Sequence, residues 1–211
     1  MSRCVILSAC PVQPELKRLL RSDDFIIACD AGYRNCERLG CKPDIIVGDF
    51  DSAPCPQQNT DDIVVLPHVK DDTDTEYAAK LAAQKDFDEV LLLGALGGKR
   101  VEHTLANLCT GLGLEQRGIR AALQDERSRI TFVLPGKSRC YPKEEFFYFS
   151  AFPMEGRAEG VYEKGSFYEL EDAVLTAGYP LGVSNEYAEG SDCITVSTRQ
   201  GALVVVETIA D

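Results

Sequence analysis

One stretch, PDIIVGDFDS at Pro43–Ser52, constrains the fold of this chain more than any other. Its apolar residues 45–47 (IIV) are β-branched and uninterrupted, which is typical of a short strand buried on both faces. Gly48 ends the apolar run, and Asp49 and Asp51 follow with a single residue between them. Side chains two positions apart on an extended backbone point the same way, so the two carboxylates are predicted to converge.

This acid pair indicates a cation site. In open α/β sheets, ligands bind beyond the carboxyl ends of the strands, and two carboxylates placed there repel each other unless a cation lies between them. Hard oxygen ligands suit Mg²⁺, above all when the metal also carries substrate phosphates. A simpler alternative is a solvated acidic turn, because Asp is common in turns for its own local hydrogen bonds.

Length and composition limit the classes that remain. A chain of 211 residues fits one large domain, or one ordinary domain with a small one, and 45% hydrophobic residues supply a core. No apolar run approaches the roughly 18 residues of a membrane span, and the apolar stretch at the N-terminus is too short for a signal peptide. The nine cysteines are odd in number and never spaced as C-x-x-C, so we expect free thiols in the reducing cytoplasm.

The charge balance bears on partners. The net charge is -12, with 22 Lys and Arg against 34 Asp and Glu. This excess of acid argues against nucleic acid or an anionic membrane as a partner. It favours a cationic small substrate, whereas an anionic substrate would need a metal or local basic residues. Solubility alone would also explain the charge.

Strand and helix patterns alternate along the first two thirds of the chain. They predict an α/β domain at residues 1–136, with a mainly parallel, Rossmann-like sheet and helices on both faces. Past Gly136, short strands follow one another without helices, which predicts a small all-β sandwich domain at residues 137–211. Arg199–Gly201 is predicted as the turn of a terminal hairpin. The predicted strands are residues 4–9, 25–30, 45–47, 62–66, 89–96, 119–124 and 130–134, then 146–152, 160–163, 167–170, 192–198 and 202–208.

Three further turns stand at predicted strand ends. Asp30–Gly32 (DAG) follows the second strand, and Lys70–Glu76 (KDDTDTE) precedes an Ala-rich helix. Thr73 and the Glu three residues later have the spacing of a capping box, so this helix should start at Thr73 with Asp74 in its first turn. Gly97–Gly98 lies between a strand and a helix, an arrangement that can cradle phosphate. Each turn also has a structural explanation, because acids suit helix N-termini and tight turns need glycine.

Taken in order, these motifs resemble thiamine pyrophosphokinase. The set is GDFDS, then D-x-T-D at Asp71–Asp74, then GALGG with EHT and LAN, then YPLGVSNEY at Tyr179–Tyr187. The resemblance runs from about Phe25 to the C-terminus. It implies a nucleotide-binding α/β domain and a β-sandwich that helps to hold thiamine, in a homodimer with composite active sites. The implied reaction is the Mg²⁺-dependent transfer of pyrophosphate from ATP to thiamine, giving AMP and thiamine diphosphate.

The resemblance also implies roles for the residues that match the family's motifs. The metal and catalytic residues would be Asp49, Asp51 and Asp74, with either Asp49 or Asp51 taking the hydroxyl proton. Clustered carboxylates with Mg²⁺ suit such a transfer, because its catalysis is mostly positioning and electrostatics. The nucleotide side would use Asp30, Asp71, Asp72, Gly97, Gly98, Arg100, Glu102, His103, Thr104 and Asn107, and thiamine would be held by Ser184 and Asn185.

One motif departs from the family pattern, and two other classes remain open. The family has G-G-R-x-D-H, whereas residues 97–103 here read GGKRVEH, with one extra residue and Glu102 in place of Asp. This shift puts the phosphate role of Arg100 in question. A metal-dependent phosphohydrolase would also use D-x-D at a strand end, although its usual D-x-D-x-T order fails here. The other alternative is a non-catalytic nucleotide or thiamine sensor.

Overall fold

Two units make up the chain, Met1–Glu126 and Arg127–Asp211. The structure is a computed structural model that describes residues 1–50, 63–67 and 71–210. Strands and helices together give the mixed α/β fold that the sequence predicts. Along the described ranges, no helix is both long enough and apolar enough to cross a membrane.

The first unit is built on six strands whose recorded pairings are all parallel. Their order across the sheet is β6-β5-β1-β2-β3-β4. Both β1 and β5 are apolar and buried, as strands covered on two faces should be. The strands are β1 (Arg3–Leu7), β2 (Phe25–Cys29), β3 (Ile45–Gly48), β4 (Ile63–Val65), β5 (Glu89–Leu93) and β6 (Arg120–Gln124).

Three α-helices connect these strands: α1 (Tyr33–Leu39), α2 (Asp74–Gln84) and α3 (Val101–Gln116). Helix α1 ends at Gly40, whose φ of 64° supplies the left-handed residue that commonly ends a helix. Thr73 caps α2, because its hydroxyl accepts a hydrogen bond from the Glu76 N–H at 3.1 Å. Two short 3₁₀ helices cover Pro14–Leu19 and Asp30–Gly32.

Strand order reverses at the middle of this sheet. The chain runs outward from β1 through β2, β3 and β4, and then returns to place β5 on the other side of β1. The carboxyl ends of β1 and β5 are joined just beyond the strands, where the Ser8 N–H donates to the Leu93 carbonyl at 2.8 Å. Such a reversal leaves a crevice at the carboxyl ends of the strands, where ligands of α/β proteins bind.

The second unit contains eight strands, and all of their recorded pairings are antiparallel. They form two groups, β12-β9-β14-β7 and β11-β10-β13-β8. Apolar residues of both groups, including Phe149 and Val205 from one and Val161 and Ile194 from the other, share a buried core. The strands are β7 (Ser128–Val133), β8 (Ser138–Pro142), β9 (Tyr148–Pro153), β10 (Arg157–Lys164), β11 (Leu170–Thr176), β12 (Asn185–Glu186), β13 (Cys193–Ser197) and β14 (Leu203–Thr208).

Two features of this unit differ from the sequence-based expectation. The predicted hairpin at Arg199–Gly201 is wrong, because β13 and β14 belong to different groups and the segment crosses from one to the other. Strand β7, which the sequence pattern assigned to the first domain, pairs along its whole length with β14. The first compact unit of the structure ends at Glu126, and the functional boundary at residue 136 stays a prediction. Both differences arise because antiparallel partners far apart in sequence leave no local signal.

Candidate active site

A cavity of about 500 Å³ lies at the carboxyl ends of the parallel strands of the first unit. Its volume is within the usual range for a small-molecule or cofactor site. Segments that follow β1, β2, β3 and β5 contribute to its walls, together with the first residues of α2 and α3. The lining residues are Ser8, Ala9, Cys10, Pro11, Cys29, Asp30, Ala31, Asp49, Thr73, Asp74, Thr75, Gly94, Gly97, Gly98, Lys99, Arg100, His103 and Asn107.

One wall of the cavity is acidic and carries Asp30, Asp49 and Asp74. Asp30 is buried, and its φ of 47° lies in the left-handed region that a non-glycine residue rarely adopts. Gly48 passes close beneath it, since an added Cβ would lie 3.1 Å from the Asp30 Cα. Asp74 is the first residue of α2, where the helix dipole favours a carboxylate. Asp51, the other member of the acid pair, lies outside the described residues.

The opposite wall is basic and contains the glycine turn. Gly97 and Gly98 have φ angles of 71° and 82°, and no other residue type adopts this region as readily. Lys99, Arg100 and His103 follow them into the start of α3. The N-terminus of a helix attracts anions through its dipole and its exposed N–H groups. The cavity thus offers carboxylates on one side and cations with a helix N-terminus on the other.

Four predicted nucleotide-site residues do not line the cavity. Asp71 is exposed, and Asp72 is occupied by Lys80, whose Nζ donates to its two carboxylate oxygens at 2.6 and 2.7 Å. Glu102 accepts a hydrogen bond from Arg100 Nε at 2.8 Å, and this bond lowers the pKa of its carboxyl. Thr104 donates to the Gly97 carbonyl at 3.3 Å and so supports the glycine turn from behind.

Asn107 lines the cavity, but its side-chain amide forms a hydrogen bond within the protein. Its Nδ2 donates to the Ala95 carbonyl at 2.7 Å, and the residue is buried. The helix that carries it, α3, starts at Val101. Asn107 therefore helps to position the glycine turn in the basic wall of the cavity.

The loop after β1 is a third wall that sequence reasoning missed. The side chain of Asn35, 1% exposed in α1, holds this loop: its Nδ2 donates to the carbonyls of Ser8 at 2.7 Å and Cys10 at 2.8 Å. Its Oδ1 accepts from the Val12 N–H at 3.2 Å. The Ser8 and Thr75 hydroxyls also bond to each other at 2.9 Å, which ties β1 to α2. Residues 8–11 follow the carboxyl end of β1, so the rule that ligands bind beyond strand ends, which selected Asp49, could also have selected this loop.

In the second unit, the two predicted thiamine-site residues differ sharply. Ser184 is exposed and has a φ of 54°. Asn185 is buried, and its Nδ2 donates to Glu163 Oε1 at 2.6 Å and to the Tyr168 carbonyl at 2.8 Å. Its Oδ1 accepts from the N–H groups of Tyr168 and Glu186, each at 3.0 Å. The hydrogen-bonding capacity of this amide is therefore used up inside the unit.

An exposed aromatic pair stands beside Asn185. Phe167 and Tyr168 are 66% and 70% exposed, and their rings meet edge to face with centroids 4.8 Å apart. Asn185 holds the Tyr168 backbone from both sides, through its N–H and its carbonyl. Solvent-exposed aromatic rings on a loop held in place this firmly are suited to contact a ligand. The sequence analysis did not select them.

The acidic wall does not form a complete metal cage by itself. Across residues 1–50, 63–67 and 71–210, no three His, Cys, Asp or Glu side chains are grouped closely enough to hold an ion. Mg²⁺ does not need such a group, since it usually binds one or two carboxylates and completes its shell with water and substrate phosphates. The oxygen ligands of Asp49 and Asp74 fit this pattern.

Comparison with known proteins finds a family match within each of the two units. Residues 16–123 match the family model described as thiamin pyrophosphokinase, catalytic domain, and residues 139–203 match the thiamin pyrophosphokinase vitamin B1 binding domain. The chain belongs to the thiamin pyrophosphokinase family. The thiamine pyrophosphokinase activity predicted from the motifs is thereby confirmed.

Individual relatives extend over the whole chain. A thiamine pyrophosphokinase of Bacillus subtilis is 26% identical over 200 residues, which is 92% of each chain. The crystal structure of the Bacillus subtilis enzyme covers 100% of both chains with a TM-score of 0.88 and 25% identity. That of Geobacillus thermodenitrificans thiamin pyrophosphokinase covers 100% of this chain and 98% of its own, with a TM-score of 0.85 and 26% identity.

Proposed function

We propose that this protein transfers the pyrophosphoryl group of ATP to the hydroxyl of thiamine, giving AMP and thiamine diphosphate, with Mg²⁺. The observation that carries the proposal is the cavity of the first unit, which is lined both by Asp49 and Asp74 and by Lys99 and Arg100. A triphosphate with its metal needs this combination, because it presents negative oxygens and a divalent cation together. We propose two functional domains, a Rossmann-like domain at residues 1–136 and a β-sandwich at residues 137–211, although the first compact unit ends at Glu126.

The acidic wall would hold the metal. Asp49 and Asp74 supply oxygen ligands, and Asp51 follows Asp49 at the same strand end. Mg²⁺ there would neutralise the charge that develops on the phosphate oxygens during transfer. Either Asp49 or Asp51 accepts the proton of the thiamine hydroxyl as that oxygen attacks the β-phosphorus.

The basic wall orients the triphosphate. Lys99 and Arg100 bind its oxygens, and the N-terminus of α3 adds its dipole. Gly97 and Gly98 let the backbone approach the nucleotide without side-chain obstruction. Holding the donor in line with the hydroxyl supplies much of the rate, since a well-oriented pair of reactants avoids the entropy cost of meeting.

Thiamine would be held by the second unit, with subunits sharing their sites. The exposed rings of Phe167 and Tyr168 offer faces on which the thiamine rings can stack, and thiamine is a cation that such faces attract. Ser184 contributes a hydroxyl, while Asn185 keeps Tyr168 in position. We propose a homodimer in which the thiamine-binding unit of one subunit completes the acid-bearing site of the other. A cytoplasmic location stays a prediction.

The nucleotide product tests the reaction. Incubation with ATP, Mg²⁺ and thiamine, followed by separation of nucleotides, should yield AMP and thiamine diphosphate in equal amounts. ADP with thiamine monophosphate would refute pyrophosphoryl transfer. Free phosphate released without thiamine would indicate the phosphohydrolase, and binding of both ligands without any product would indicate the sensor.

A further inference from the structure

Away from the cavity, the thiols of Cys36 and Cys41 meet at the end of α1. Cys36 is 2% exposed within the core, whereas Cys41, just past Gly40, is half-buried. The helix ends in a Schellman motif, with the Gly40 N–H donating to the Glu37 carbonyl at 3.2 Å and the Cys41 N–H to the Cys36 carbonyl at 3.0 Å. This motif brings the side chains at the positions of Cys36 and Cys41 into contact. Here the Cys41 thiol donates a hydrogen bond to the Cys36 carbonyl, with Sγ and O 3.7 Å apart.

The two thiols differ in reactivity. The neighbouring Cys36 thiol lowers the pKa of the Cys41 thiol, and the positive charge of Lys17 adds to this effect. Lys17 Nζ reaches this helix end, since a Cβ added at Gly40 would lie 3.2 Å from it. The same thiol pairing, together with burial, raises the pKa of Cys36. The thiolate is the nucleophile in thiol chemistry, so Cys41 is the attacking sulfur and Cys36 the resolving one.

We propose that Cys36 and Cys41 form a reversible intramolecular disulfide when the protein meets a peroxide. The Cys41 thiolate attacks one peroxide oxygen, the O–O bond breaks, and Cys41 becomes a sulfenic acid as hydroxide leaves. The Cys36 sulfur then attacks the Cys41 sulfur, and the sulfenic oxygen leaves as water with the Cys36 proton. The two thiols lose two electrons in total, and hydrogen peroxide is reduced to two waters.

The chain can close this disulfide by moving Cys41. Cys36 is packed in the core among residues such as Leu16 and Leu39 and cannot shift easily. Cys41 lies on the loop between Gly40 and Asp44, whose N–H donates to the Ile26 carbonyl at 2.8 Å, so the loop rather than the helix is expected to move. The disulfide therefore ties the loop to the helix end without displacing α1. We expect oxidation to raise the thermal unfolding midpoint.

A peptide map tests the disulfide directly. The reduced full-length protein is treated with a modest excess of hydrogen peroxide, its remaining thiols are alkylated with iodoacetamide, and it is digested with trypsin. Trypsin cuts after Arg34 and Arg38, so the disulfide should appear as peptide 35–38 linked to peptide 39–70, two hydrogens lighter than their sum and separated by reduction. Because peptide 39–70 also contains Cys55, fragmentation of the linked pair in the mass spectrometer should place the link at Cys41. Alkylation of both Cys36 and Cys41, or a link from Cys41 to another cysteine, would overturn the proposal.

Cys140 and Cys193 provide the matched control. These two cysteines are also neighbours, but they occupy diagonal positions on β8 and β13, where Cys140 faces Thr195. Diagonal neighbours have Cβ atoms roughly 7 Å apart, whereas a disulfide needs about 3.8 Å. This pair should remain alkylated under the same treatment. If it oxidised as readily as Cys36 and Cys41, the Schellman geometry would not be the cause.

Two single variants separate the attacking thiol from the resolving one. Cys36→Ser should leave Cys41 as a sulfenic acid that dimedone traps, whereas Cys41→Ser should give no adduct at Cys36. The oxidised wild type should unfold at a higher temperature than the reduced protein, with no such difference in Cys41→Ser. A lower midpoint in the oxidised wild type, or dimedone on Cys36 in place of Cys41, would contradict the mechanism.

Discussion

At the scale of single residues, Asp72 and Asp74 lie two positions apart but have different surroundings. Asp72 forms a two-oxygen contact with Lys80 and lies outside the cavity lining, whereas Asp74, two positions later, lines the cavity at the start of α2. An acid that already has its own ammonium partner gains little from a second cation. This contrast separates a structural acid from a candidate metal ligand.

The first prediction uses that contrast. Asp74→Asn keeps the size of the side chain but removes its charge, so we expect at least a hundredfold loss of turnover, about 3 kcal/mol in the barrier. Asp72→Asn is the matched control and should retain turnover within a few fold. The rate of thiamine diphosphate formation measures both. Equal losses in the two variants would mean that the cavity does not distinguish them.

The second prediction concerns the buried acid Glu163. Burial raises its pKa to about 7 from the ordinary 4.5, against the opposing hydrogen bonds from Ser166 and Asn185. The folded protein therefore holds this proton more tightly than the unfolded chain does. The stability that this provides is present below pH 4.5 and is lost as the pH rises through about 7.

Glu163→Gln removes the titration while keeping an acceptor for Asn185. We expect the variant to have a higher unfolding free energy than the wild type at about pH 8. At about pH 5, this difference between variant and wild type should be about 2 kcal/mol smaller. Urea unfolding at both pH values measures this, and the comparison of variant with wild type cancels the other carboxylates. A gain that did not change with pH would show that Glu163 does not titrate in this range.

At the scale of elements, features encoded by neighbouring residues could be predicted from the sequence, whereas contacts between residues far apart along the chain could not. The ends of β2 and β3 and the start of α2 could be found, because a strand-end acid or a helix cap is written in neighbouring residues. The role of Asn35 could not, since its amide holds carbonyls more than twenty positions away along the chain. The saturation of Asn185 was equally hidden, because its partners lie on separate strands and loops.

The third prediction tests how tightly α1 packs under β1. Gly32 precedes α1, and an added Cβ would lie 1.9 Å from the Leu7 carbonyl oxygen, so the backbone would have to move. Gly32→Ala should cost about 3 kcal/mol of unfolding free energy or more. Gly178→Ala is the matched control, because nothing lies within 4 Å of its added Cβ. Chemical denaturation of both variants decides, and a Gly32→Ala protein as stable as Gly178→Ala would contradict this packing.

At the scale of the whole molecule, the proposed homodimer predicts that two inactive variants can restore each other. One carries Asp74→Asn, and the other carries Tyr168→Ala with Ser184→Ala. If sites are shared between subunits, each mixed dimer has one site with both defects and one site built from normal residues. Random exchange makes half the dimers mixed, so activity should recover to roughly a quarter of the wild type.

The control for this experiment is the wild type carried through the same exchange, with exchange itself followed by mixed-label mass spectrometry. If each site lay within one chain, every site would keep its defect and mixing would restore nothing. Absence of recovery in a sample where mixed dimers are detected would refute the shared site and leave the reaction itself untouched.

The close passage of Gly48 beneath Asp30 restricts how this sequence can drift. A Cβ at position 48 would stand 3.1 Å from the Asp30 Cα and 3.2 Å from its backbone nitrogen, so even alanine would press on the left-handed turn. Glycine is thus expected at position 48 wherever residue 30 keeps this left-handed conformation. Related sequences can replace one acid by another on the cavity wall, but position 48 has to remain glycine for as long as the left-handed turn at residue 30 is kept.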